Sequence, residues 1–176
     1  GWAMAGETAD ADMTAMALQA LAPYYDPAGE GELNAAVEKG IECLSLLQFP
    51  DGGFGTYGAE GTVTATSESI SQVIVALTAL GVDPDQDPRF VKNGVSALDA
   101  LVQYGQENGG LAHLKDGQRD DMATEQGYYA MAAYARYLMQ APRLYDMTDA
   151  LDETAQPLPA HTVYIGVGNS GIEPEE

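Results

Sequence analysis

The chain has 176 residues with 27 acidic and 7 basic side chains, a net charge of −20 with both histidines neutral. Apolar residues make up 45% and charged ones 19%, which is the make-up of one folded domain with a sizeable core and not of an acidic disordered tail. So much negative charge repels phosphate backbones and anionic headgroups, which excludes nucleic-acid binding, and no apolar stretch approaches the roughly 20 residues that span a bilayer, so no membrane insertion is expected.

Apolar residues recur at helical spacing over about residues 10–24, 33–48, 66–80, 88–104 and 122–139, which predicts five helices. The first begins with Asp12-Met13-Thr14-Ala15, and the second carries the stripe Val37, Ile41, Leu44 and Leu47. A glycine turn, Asp51-Gly52-Gly53-Phe54-Gly55, then leads into the third, Glu68 to Leu77. Gly81 ends that helix and Pro88 opens the fourth, whose stripe is Val91, Val95, Leu98 and Val102. A second glycine turn, Asn108-Gly109-Gly110-Leu111, precedes the fifth, Glu125 to Tyr134.

Asp12, Glu68 and Glu125 each open a similar segment, and they stand 56 and 57 residues apart. This interval is an internal repeat, and each unit is a helix pair joined by a glycine turn, with Gly1-Trp2 as the remnant of a further turn. An all-α domain is expected over residues 1–150, with no strand pattern before residue 160. Residues 151–176 read as a linker or tail: Gln156-Pro157-Leu158-Pro159 is an extended segment, and Thr162–Val167 is a β-like run that could begin a β module.

The stretch Lys39 to Gln48 followed by Asp51-Gly52-Gly53-Phe54-Gly55 resembles the repeat of prenyltransferases and squalene/hopene cyclases, and a degenerate copy runs from Lys92 through Gln103 to Gly109-Gly110. The resemblance covers about residues 1–139 and implies a partial α/α-toroid of helix-pair repeats, about 56 residues each, with the second helix of each pair lining the inside. The start at Gly1-Trp2, inside a repeat, leads to the expectation of a fragment whose partners are other domains of the same longer polypeptide. Weaker similarity extends to the helical half of vitamin B12 carriers, through runs such as Thr14-Ala15-Met16-Ala17.

Thr8-Ala9-Asp10-Ala11-Asp12-Met13-Thr14-Ala15 looks like the Asp-x-Asp-Asp-Thr-Ala motif of class II terpenoid cyclases. Carried over by that resemblance, Asp12 is the proton donor and Asp10 its neighbour, with Met13 in place of the third aspartate. Capping is the competing role, since Asp10 or Asp12 can satisfy amides at a helix start, as can Thr66 and Asp121 for the later helices. If the inner helices face a cavity, Asp12, Glu68 and Glu125 form an arc of carboxylates at its mouth, and Tyr128 is a candidate stacking residue.

Metal chemistry has little to build on. Cys43 is the only cysteine, and the histidines are His113 near a turn and His161 in the tail. Asp83, Asp85 and Asp87 alternate like the opening of a calcium loop, but Pro88 and Gly94 stand where glycine and glutamate are needed.

These readings converge on a non-catalytic binding or scaffold module, extracellular or at the cell surface. Its ligand surface is the inner helix face, with Asp12, Glu68, Glu125 and Tyr128 as ligand-binding candidates. The ligand classes are a corrinoid, a glycan or a hydrophobic small molecule, and no metal or other cofactor is expected beyond a cobalamin-type ligand. The alternative is a class II terpenoid-cyclase-type enzyme with Asp12, supported by Asp10, as general acid.

Overall fold

A computed structural model describes residues 1–4, 6–57, 62–146 and 148–150. The linker and β-like run expected over 151–176 lie outside the described residues. Among the described residues there are five α-helices: α1 Ala11–Leu21, α2 Glu32–Leu47, α3 Ser67–Ala79, α4 Ala97–Val102 and α5 Asp121–Leu138. Three antiparallel two-stranded ribbons lie between them: β1 Gly55–Tyr57 with β2 Val63–Ala65, β3 Val91–Lys92 with β4 Val95–Ser96, and β5 Leu111–Ala112 with β6 Arg119–Asp120. No helix among the described residues is long and apolar enough to cross a membrane.

The expected all-α partial toroid is therefore corrected to a mixed α/β fold, with 51% helix and 9% strand among the described residues. The strands are only two or three residues long, too short to show the alternation by which a strand is recognised in sequence. The fourth helix shows the cause most plainly. Val91 and Val95 are spaced as on a helix, yet Asn93 and Gly94 adopt φ of 52° and 80° and turn the chain back, pairing Lys92 with Val95 and Val91 with Ser96. Asn-Gly with both residues left-handed is the sequence of a two-residue hairpin turn, so α4 starts only at Ala97, where Ser96 and Asp99 form a capping box.

α1, α3 and α5, unlike α2, start where a side chain replaces a missing helical partner. Asp10 Oδ1 accepts from Met13 N at 2.9 Å, Thr66 Oγ1 from Ser69 N at 3.1 Å, and Asp120 Oδ1 from Ala123 N at 2.9 Å. α3 is the centre of the molecule: 11 of its 13 residues are buried, because α1 and α5 flank it and α4 packs behind. Ile70, Val73, Ile74 and Leu77 meet Leu18, Ile41, Leu44, Phe54, Phe90, Leu101 and Tyr104 in one continuous core.

The internal repeat is visible in hydrogen bonds. Phe49 N donates to Gly53 O at 2.9 Å and Gly52 N to Phe49 O at 3.0 Å, and 57 residues later Gln106 N donates to Gly110 O at 3.0 Å and Gly109 N to Gln106 O at 2.9 Å. Each turn delivers its next apolar residue onto the following helix. Leu111 N donates to Thr124 Oγ1 at 2.9 Å, and Trp2 N donates to Thr14 Oγ1 at the same distance.

Candidate functional site

Asp12 and Glu68 occupy the same place in successive units, two residues beyond the caps Asp10 and Thr66. Because α1 packs on α3, their carboxyls come together at the N-terminal ends of the two helices. Asp12 Oδ1 is buried and has no hydrogen-bond partner among the described residues, while the Ser69 hydroxyl bonds the same carboxyl group. Burial, reinforced by the nearby charges of Asp10 and Glu68, holds the Asp12 pKa above the ordinary 3.8, and the Ser69 bond offsets only part of that rise.

Glu68 is 9% exposed and is met by a residue from a different part of the chain. His113 Nδ1 lies 2.9 and 3.0 Å from its two oxygens. The backbone around that contact is fixed: Ser67 N donates to His113 O at 3.3 Å and Ser67 Oγ to Ala112 O at 2.7 Å. The hydroxyl has one proton, so the Glu68 oxygen 3.2 Å from Ser67 Oγ is the weaker of its two contacts.

A row of side-chain amides continues from this cluster across all three central helices. Gln19 Nε2 donates to Gln72 O at 3.1 Å and to Gln72 Oε1 at 3.0 Å. Gln72 Nε2 in turn reaches Gln126 Oε1 at 3.2 Å and the Tyr129 hydroxyl. Burial first, then the neighbouring Tyr145 and the charges of Glu125, Asp12 and Glu68, pushes the Tyr129 pKa up to about 12. Tyr129 thus stands within electrostatic reach of the carboxylate pair.

Glu125 and Tyr128 do not join this row. Glu125 lies five residues beyond its cap, Asp120, where Asp12 and Glu68 lie two beyond theirs. It is exposed, and Tyr128 is 53% exposed. Gln126 and Tyr129, one position further along, face α3 instead. The expected arc of three carboxylates is therefore a pair, Asp12 and Glu68, with Asp10 beside it. Gln72 and Gln126 each stand six residues beyond a cap, a regularity present in the sequence. Ser69 and His113 carry no comparable signal.

Among the described residues no group of three or more His, Cys, Asp or Glu side chains has the geometry to hold a metal ion. No family model, no curated protein and no solved structure matches the chain.

Proposed function

We propose that the chain is a non-catalytic binding module whose ligand surface is the polar seam of α1, α3 and α5. The observation that carries this reading is the buried, unpartnered Asp12 Oδ1, at the head of the amide row Gln19, Gln72 and Gln126. A buried acceptor left without a donor is costly, and a ligand hydroxyl or amide N–H would satisfy it. Asp10, Asp12 and Glu68 disfavour anionic ligands, so a glycan or an amide-bearing ligand such as a corrinoid fits better than a diphosphate. The acidic, lysine-poor composition supports placing the module outside the cell or on its surface.

Thermal unfolding with a corrinoid, a polyprenyl diphosphate and soluble cell-wall glycans tests the proposal. A ligand that binds only the folded state adds about 2.7 kcal/mol of stability at 100 times its Kd. The reading requires a raised midpoint with the corrinoid or a glycan that Asp12→Asn and Gln72→Ala both reduce. No shift with any compound refutes it.

One observation favours a second reading, a class II terpenoid-cyclase-type enzyme. The elevated Asp12 pKa is what a carboxylic acid needs to remain protonated and serve as a general acid. Turnover of a polyprenyl substrate that is lost in a folded Asp12→Asn variant would establish it. Met13, in the position of the cluster's third acid, counts against it.

A further inference from the structure

The two glycine turns have the same hydrogen bonding but different surroundings. The first is sealed. Asn93 Nδ2 donates to Pro50 O at 2.9 Å, Gln48 Nε2 donates to Phe90 O at 2.8 Å, and a Cβ on Gly52 would meet Ser96 O at 2.6 Å. The β3–β4 hairpin and the residues before it therefore sit directly on this turn. The second turn has no such cover: a Cβ on Gly109, the equivalent of Gly52, would meet nothing within 4 Å. Beside this turn, and not over Gly109 itself, lies a wide-open depression of about 380 Å³ lined by Gln106, Asn108, Gln118, Arg119 and Asp121.

We propose that this open turn is a binding site for a neutral saccharide. Three amide side chains, Gln106, Asn108 and Gln118, each present donors and an acceptor, which is the pattern needed by hydroxyls that must both give and receive hydrogen bonds. Arg119 Nη2 lies 3.2 Å from Asp121 Oδ1, so the guanidinium charge is already balanced. With a net charge of −20 around it, the site does not select an anion.

Two backbone features border the site. Gly109 and Gly110 both hold φ of 82°, a conformation glycine adopts without strain. Arg119 is paired with Ala112 across the β5–β6 ribbon. A second protein hairpin is the less suitable occupant, because the residue equivalent to Gln48, whose amide clamps the strand over the first turn, is Gly105 and has no side chain. The lining contains no aromatic or aliphatic side chain, so binding is weak, in the millimolar range, and exchange is fast.

Amide-resolved NMR titration of the full chain with maltose and N,N′-diacetylchitobiose tests the site, with succinate and a peptide of the Val91–Ser96 sequence as comparators. The expected result is saturable movement of the Asn108, Gly109, Gly110 and Arg119 signals with at least one saccharide. Gln118→Ala and Arg119→Ala should each weaken it roughly 5- to 10-fold, with the rest of the spectrum unchanged. Gln118→Ala keeps the test open if the arginine variant disturbs the ribbon. The proposal is overturned if neither saccharide moves these signals, if succinate or the peptide moves them as strongly, or if both variants bind as the parent does. Saccharide-dependent movement confined to Ser69, Gln72 and Tyr129 also overturns it, and supports the central seam instead.

Discussion

Glu68 and His113 join the first turn of α3 to the segment after β5, across 45 residues of chain. The glutamate is nearly buried and the imidazole is half exposed, so solvent screens the pair and its contribution is modest. Glu68→Gln is expected to cost about 0.5–1.5 kcal/mol in urea unfolding at neutral pH. In a double-mutant cycle with His113→Ala, a coupling energy indistinguishable from zero would show that the contact holds nothing together.

Asp12 makes stability depend on pH with a defined sign. Its folded-state pKa is raised, so between the unfolded value of 3.8 and that raised value the folded chain binds more protons than the unfolded one. Stability therefore falls as pH rises through that window. Asp12→Asn removes the effect: relative to the parent it should gain stability as pH increases, with the advantage complete above the raised folded-state pKa and absent below the unfolded one. Urea midpoints of both proteins across this range provide the check, and parallel pH profiles would contradict the assignment.

Gln72 bonds to α1 and α5 at once. Gln72→Ala removes the side-chain partner of Gln126 and Tyr129 and one of the two acceptors of Gln19, whose bond to the residue-72 carbonyl survives, and should cost about 1–3 kcal/mol. Gln19→Ala, which cuts only one side of the row, should cost less. Equal losses in chemical denaturation would mean that the row is not a continuous tie between the helices.

The sealed and open turns make a matched pair of glycine substitutions. Gly109→Ala meets only the cost of placing a side chain at positive φ, about 1–2 kcal/mol. Gly52→Ala meets the same cost and also the backbone of the β3–β4 hairpin, which raises the loss to about 2–4 kcal/mol. Thermal or urea unfolding should rank Gly52→Ala clearly below Gly109→Ala, and the reverse order would show that the hairpin does not hold this turn closed.

Sequence patterns reached the long elements and missed the short ones. α2, α3 and α5 each span three or more turns, enough for apolar periodicity to accumulate, and their observed ends lie within about two residues of the expected ones. β3 and β4 are two residues each, and Val91 and Val95 satisfied a helical spacing that the Asn93-Gly94 turn then overrode. At the site, Asp12 and Glu68 were legible because each follows its cap by the same distance. Glu125 was matched to them by its leading acid and the 57-residue interval, whereas the position two beyond Asp120 is Met122, so no third carboxylate falls in register. His113 could not be paired with Glu68 from one sequence, since only the folded β5–β6 ribbon brings them together.

The sealing of the first turn runs in one direction along the chain. Residues 49–53 are closed by Gln48's bond to Phe90, by Asn93 and by the Val95–Ser96 backbone, all of which lie later in the sequence. During synthesis from the N-terminus, a nascent chain that has just completed α2 and its turn must wait for some forty further residues before that turn is covered. Trimming the protein from its C-terminal side to before Phe90 would therefore expose the turn at residues 49–53, whereas removing the residues before α2 would leave that turn's cover intact.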